Sequence, residues 1–346
     1  EAIEFSLLSS GTEEIQTLYS SLHLQILTYS GEWVVNADHI TPSSVAITKQ
    51  TGIGSPTDIY LPVTQIETAT IFISKDKKEV REFVYGEVLG NYTSNNLSQL
   101  SPHLIRDPID IEYNKTINQL YIALSNGQLA VLTVIPQNQV LSWSVYETLG
   151  KFLSCKTIDK EIYFLIERNE KYFLEKFEEG LWTDCCISKT FDNDEERIIQ
   201  NPNIYFDKEI YIKTDDYVFS KKPFEGQNIA LPIKTKTVSF GYPYKHTLTP
   251  FTLTKMQGDS YKKYRLIQLS IKLLDTPVLE LDTGFGLDVI YLCPMNYGQG
   301  LKDFTGDYFI NTLGYKSYAN DALWKIQSDF PFDFNMQSIS LKIKAI

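Results

Sequence analysis

The sequence contains no run of 18 apolar residues, so nothing in it reads as a helix that crosses a membrane, and no membrane anchor is expected. It is poor in the residues that build metal and redox centres. Its four cysteines, Cys155, Cys185, Cys186 and Cys293, show no CxxC spacing. Its four histidines, His23, His39, His103 and His246, are scattered, without an HxH or HxxxH pair. Zinc chemistry therefore has no local ligand set, and buried, reduced thiols are expected in a chain assembled in a reducing compartment. Phosphate loops, GxGxxG turns and GxSxG elbows do not occur. Helical patterning is scarce as well; only residues 13–20 and 97–104 read as short helices. Positive charge is in deficit, with 32 Lys and Arg against 43 Asp and Glu and a net charge of −11. That balance argues against wrapping DNA or docking on an anionic membrane, both of which need a positive field.

What the 346 residues do contain is β-forming sequence, with 22 Tyr and 19 Phe beside abundant Ile and Thr. Five segments read as pairs of alternating strands around a polar turn. Their first strands begin at Leu24, Ile71, Leu120, Ile162 and Ile210, at intervals of 47, 49, 42 and 48 residues. Asn126-Gly127 supplies the positive φ that a tight hairpin turn demands. A hairpin recurring every 40–50 residues is the pattern of propeller blades, because one blade cannot bury both of its faces without neighbours. Evenly spaced strands of a β-sandwich are the alternative. The rhythm breaks after Pro232, and residues 221–231, with Pro223 and Gly226, read as a linker. Longer alternating runs at 264–274 and 338–344 suggest a second β-domain. The expected fold is thus all-β: a propeller-like repeat over 1–232, then a smaller β-sandwich or platform over 233–346.

Few segments carry catalytic promise. Leu279-Glu280-Leu281-Asp282-Thr283-Gly284 resembles an aspartic-protease loop, in which two carboxylates share a proton. It occurs once, is followed by Phe285, and reads better as a turn. Asp192-Asn193-Asp194-Glu195-Glu196 has calcium-loop composition but lacks the glycine and the spaced acid of an EF-hand. Aromatic residues do not interleave with Lys and Arg over any long stretch, so no base-stacking groove is indicated. Trp33, Trp143 and Trp324 read as packing anchors. The residues therefore nominate no catalytic side chain, no cofactor and no metal ligand.

Several short motifs fall in a telling order: Gly31-Glu32-Trp33, Thr41-Pro42, Gln50-Thr51-Gly52-Ile53-Gly54-Ser55, Val80-Arg81-Glu82-Phe83-Val84-Tyr85 and Leu97-Ser98-Gln99-Leu100-Ser101-Pro102-His103-Leu104. They continue with Ser125-Asn126-Gly127-Gln128-Leu129, Val140-Leu141-Ser142-Trp143, Ile166-Glu167-Arg168, Leu174-Glu175-Lys176-Phe177, Gly241-Tyr242-Pro243-Tyr244, Phe304-Thr305-Gly306-Asp307 and Asp329-Phe330-Pro331-Phe332. In this order they resemble the C-terminal half of the tail nozzle and hub proteins of short-tailed phages and prophages. The resemblance covers almost the whole chain, although such proteins usually carry a longer N-terminal region. It implies a non-enzymatic virion subunit, assembled in the bacterial cytoplasm into a hexameric ring around the DNA exit channel. It further implies contact with a head–tail adaptor and with tail spike or fibre proteins, and DNA that passes without specific binding. Without that N-terminal region the chain is expected to be a monomer when dilute and to form hexamers only with the full-length protein or its adaptor partner, and mutual repulsion among six acidic copies supports this. Two other classes stay open: a host-surface module that binds glycans, and a hydrolase on a propeller scaffold.

Overall fold

A computed structural model describes residues 4, 6–7, 13–36, 41–42, 44–191, 198–200, 202, 204–205, 207–215, 217–232, 234–252, 264–293, 301–312, 316–317 and 322–345. The fold is all-β, 57% strand and 1% helix, arranged in many small antiparallel sheets. It divides into two compact units, residues 1–178 and 179–346.

The first unit is a series of meanders in which each strand pairs with the next. Its first sheet is β1 (Ile15–Ser20), β2 (Leu24–Thr28), β3 (Gly31–Asn36) and β4 (Ala46–Thr51). The second is β5 (Thr64–Ile66), β6 (Ala69–Ile73), β7 (Val80–Gly86) and β8 (Asn91–Asn96). The third is β9 (Pro108–Asn114), β10 (Gln119–Leu124), β11 (Leu129–Ile135) and β12 (Val140–Tyr146). The fourth has three strands, β13 (Lys151–Ile158), β14 (Glu161–Arg168) and β15 (Lys171–Lys176).

Strand alternation decides what these sheets do. Successive side chains point to opposite faces, so a strand that is apolar throughout has two faces to bury. β6 and β10 are such strands: every residue of β6, and all of β10 after Gln119, are buried. Leu27 and Val34 of the first sheet meet Phe72, Phe83 and Tyr92 of the second. The opposite face of the second sheet, with Ile71, Ile73 and Val80, meets Leu120, Ile122, Ala130 and Leu132 of the third. The remaining face of the third, with Tyr121, Ala123, Leu129 and Val131, meets Phe152, Phe164 and Ile166 of the fourth. The four sheets therefore stack face to face in sequence order.

The second unit holds two cores. Around one, strands Asp184–Thr190, Thr237–Tyr242, Ile210–Thr214 and Val218–Lys221 form a sheet, and the short pair Ile198–Ile199 and Ile229–Ala230 lies beside it. Around the other, two sheets face each other. One contains His246–Leu248, Lys325–Ser328, Val278–Asp282 and Leu287–Tyr291; the other is built on the long strand Tyr264–Thr276.

All five hairpins expected from the sequence form, and each lies in a sheet of its own. The fifth, over Ile210–Lys221, belongs to the second unit. The expected division at 232/233 falls inside this unit. Residues 221–231 are no linker, because Ile229 and Leu231 are buried in its first core. Residues 13–20 are no helix: Ile15–Ser20 is β1, paired antiparallel with β2, so tertiary pairing overrides a weak local preference. Residues 97–104 form successive turns rather than a helix. Ser98 N–H and hydroxyl both turn back to Asn96 Oδ1 at 2.8 Å, which closes an Asx turn where a helix would begin.

Trp33 and Trp324 are buried, and Trp143 is half-buried against the core between the second and third sheets. Trp143 also donates its indole N–H to Leu97 O at 2.9 Å, which ties the third sheet to the turn that closes the second. Trp143→Ala removes both contacts and should cost about 3 kcal/mol. Chemical denaturation measures this; an unchanged midpoint would contradict the packing role.

Candidate functional site

The polar side chains that the fold brings together lie on the seams between sheets. In the first unit they are mainly carboxylates. Asp110 and Glu112 alternate with Ile111 and Tyr113 on β9, which pack towards the second sheet, so both acids leave the third sheet on the face that meets the fourth. Asp110 Oδ2 accepts the Ser154 hydroxyl at 2.5 Å and Cys155 N–H at 3.0 Å. Glu112 accepts Thr157 N–H at 3.1 Å and pairs with Lys156 at 2.5 Å. Asn114 extends the seam by donating to Lys160 O at 2.9 Å. One edge of β9 thus holds β13 through backbone and side chain together. Between the first and second sheets, Gln50 Oε1 accepts Tyr92 N–H at 2.9 Å.

A denser knot surrounds the first hairpin. Glu32 is fully buried, and its carboxylate accepts Gly54 N–H at 2.7 Å, Ile53 N–H at 3.3 Å and the Thr51 hydroxyl. Burial pushes its pKa up, while these donors and nearby Lys49 pull it back. Gly54 sits at φ +81°, and a Cβ there would run into the Tyr29 carbonyl. Glu13 accepts the Ser30 hydroxyl, and Lys49 lies 3.5 Å from Glu13. The separate motifs Gly31-Glu32-Trp33 and Gln50–Ser55 are therefore two halves of one latch. Chemically the latch is spent: Glu32 has its donors and no room for a substrate. A cleft beside it, lined by Gln16, Ser55, Pro56, Leu61 and Phe72, has a cavity volume of about 10 Å³, roughly the space of one water molecule and far below that of a small-molecule site.

In the second unit Asp215 plays the same part. Its carboxylate accepts the Thr237 and Thr235 hydroxyls and Lys236 N–H, and these hold its pKa down to about 2, the Thr237 hydroxyl first. Asp282 closes its own turn, accepting Gly284 N–H at 2.7 Å and Gly286 N–H at 3.2 Å. The Asp-Thr-Gly triplet is a turn at the end of a strand, as expected. His246 stacks on Phe334 with ring centroids 5.2 Å apart. Its buried Nε2 has no hydrogen-bond partner among the described residues.

Among the described residues no group of three or more His, Cys, Asp and Glu side chains is placed to hold a metal. His39 and the acidic run 192–196 lie outside the described residues. Cys155 is buried, but Cys185, Cys186 and Cys293 are only half-buried, which corrects the expectation of four buried thiols. Cys185 has φ +53° at a register shift between Asp184 and Ile187, so this bulge breaks simple alternation at Cys185-Cys186. No helix among the described residues is long and apolar enough to cross a membrane. Sequence reasoning passed over Glu32, Asp110, Glu112 and Asp215; the available signal was acids alternating with Ile on a strand and an acid placed directly after a hairpin glycine.

No protein-family model matches the chain, and no curated protein matches it.

Two outcomes follow from the seams. Glu32→Ala strands buried donors and should cost about 1–3 kcal/mol. Equilibrium unfolding reads this, and a loss under about 0.5 kcal/mol would refute the latch. Burial lowers the His246 pKa, partly offset by Asp329. The unfolded chain then takes up the proton first as pH falls below about 6.5. Stability is full above that pH and declines as acid reaches the folded-state value. His246→Phe should flatten this decline between pH 7 and 5, and an identical decline in the variant would contradict the assignment.

Proposed function

We propose that the chain is a non-enzymatic structural subunit of a phage or prophage tail, a nozzle or hub that contributes to a ring around the DNA exit channel. The observation that carries this reading is the ordered series of motifs read against the stack of sheets. Gly31-Glu32-Trp33 and Gln50–Ser55 meet at the Glu32 latch. The turns at 97–104 receive the Trp143 indole, and Arg168 of the Ile166-Glu167-Arg168 motif grips Glu175 of the next motif. Motifs far apart in the chain thus have their counterparts at the joints of the scaffold. Gly241-Tyr242-Pro243-Tyr244 and Asp329-Phe330-Pro331-Phe332 both lie in the second unit, where Tyr211 pairs with Gly241 and lies 3.5 Å from Asp329, with its ring 6.2 Å from Phe330.

The physical requirements of a nozzle agree with these features. A subunit that survives genome pressure needs rigidity, and apolar faces locked by carboxylate seams supply it. A wall that DNA slides past must not hold phosphate. A net charge of −11 offers no counterion-release affinity to trap the duplex. In this reading the adaptor and the tail spike or fibre proteins are the partners, and the acidic side chains line the lumen.

Gold-labelled antibody against the chain should mark the tail end of intact particles. Unlabelled tails, or turnover of a glycan or peptide by the purified chain, would contradict the assignment. Separately, duplex DNA at low salt should run unshifted in a mobility assay with the chain; tight binding there would overturn the lumen argument.

A further inference from the structure

The fourth sheet of the first unit departs from its predecessors. In the first three sheets the outer edge of the third strand is paired with a fourth strand. The third strand of the fourth sheet is β15, and among the described residues no strand pairs with its outer edge. Its burial pattern is exposed at Lys171, Tyr172, Leu174 and Lys176. Leu174 is 72% exposed and Tyr172 67% exposed, and Leu165, opposite Leu174 on the same open face, is 38% exposed. The other face of the sheet is packed on the third sheet, so among the described residues of this unit one edge and one face are left without a cover. Natural sheets protect such edges with charge, proline or a cover.

We propose that β15 is an interaction edge that pairs antiparallel with β15 of a second copy of this chain, about a two-fold axis at Phe173. The strand's own sequence selects this occupant. A two-fold axis normal to the sheet keeps each face on its own side, so opposed residues must have the same parity. Centring the pairing on Phe173 places Tyr172 opposite Leu174 of the second copy, which covers the two most exposed apolar side chains of the strand. The same register sets Lys171 opposite Glu175, twice by symmetry. Centring on Leu174 would set Tyr172 against Lys176 and leave the ring without an apolar partner, and centring on Glu175 would set Glu175 against itself; like charges directly opposed destabilise a pair. Within one copy Glu175 already grips Arg168 and Lys176 already pairs with Glu161, so the edge charges are held in place before the copies meet. The result is a six-stranded sheet across two copies, with an isologous contact that closes on itself rather than growing into a filament. This pairing goes beyond the nozzle reading and does not depend on it. It also replaces the dilute monomer expected above, because two opposed ion pairs and the Tyr172–Leu174 contacts offset the long-range repulsion locally.

Sedimentation velocity on the whole chain tests the pairing. The wild type should be dimeric at about 50 μM, and Leu174→Lys should be monomeric there with an unchanged melting temperature. Adding Tyr172→Glu to Leu174→Lys sets opposite charges face to face across the axis and should restore association to within about tenfold. Restoration by a second substitution is not an outcome that simple misfolding can give. A wild type monomeric up to about 100 μM, a dimer that survives Leu174→Lys, or a folded double variant that stays monomeric would each overturn the proposal.

Discussion

Everything in the first unit depends on one constraint: a four-stranded meander with two apolar faces cannot bury both by itself. Each of the middle sheets solves this by taking a neighbour on either side. Because side chains alternate along a strand, Ile71 and Phe72 serve different interfaces, as do Tyr121 and Ile122. The stack is thus written into single strands, and the order of sheets in space follows their order in sequence. Burial of a large apolar side chain contributes about 1.5–3 kcal/mol, so the middle strands bear most of the stability and the terminal faces bear least.

The carboxylate seams act on a different property. Apolar faces alone tolerate sliding; Asp110 and Glu112 resist it, since each accepts a backbone N–H of the fourth sheet at one register only, and Glu32 likewise fixes the segment that leaves the first sheet. The cost is a desolvated charge, visible in the raised pKa of Glu32. The benefit is a fixed angle and register between sheets, which is what a scaffold that transmits load requires. Catalytic carboxylates need an open side facing substrate, and buried Glu32 has spent its own on neighbouring backbone and hydroxyl donors.

The hairpins were legible because alternation and turn chemistry are local signals, and Leu24, Ile71, Leu120, Ile162 and Ile210 each open or lie within a strand of a separate sheet. β1 was not legible as a strand, since Ile15–Ser20 owes its state to pairing with β2 rather than to its own pattern. Residues 221–231 misled for a related reason. Pro223 and Gly226 mark a turn, but Ile229 and Leu231 on its far side are fully engaged in a core. The seams were hidden because an acid on a strand looks the same in sequence whether it faces water or a neighbouring sheet's backbone. The Asp282 turn was readable because its partners lie within four residues.

Native-state hydrogen exchange resolved by strand tests the stacked-sheet account most directly. With both faces covered and both edges paired, β6 and β10 should exchange slowest, with β11 close behind, and β15 should exchange fastest among the β13–β15 strands in a dilute sample. Uniform protection across all four sheets, or faster exchange in β10 than in β15, would contradict the claim that burial of alternate faces between successive sheets holds this unit together.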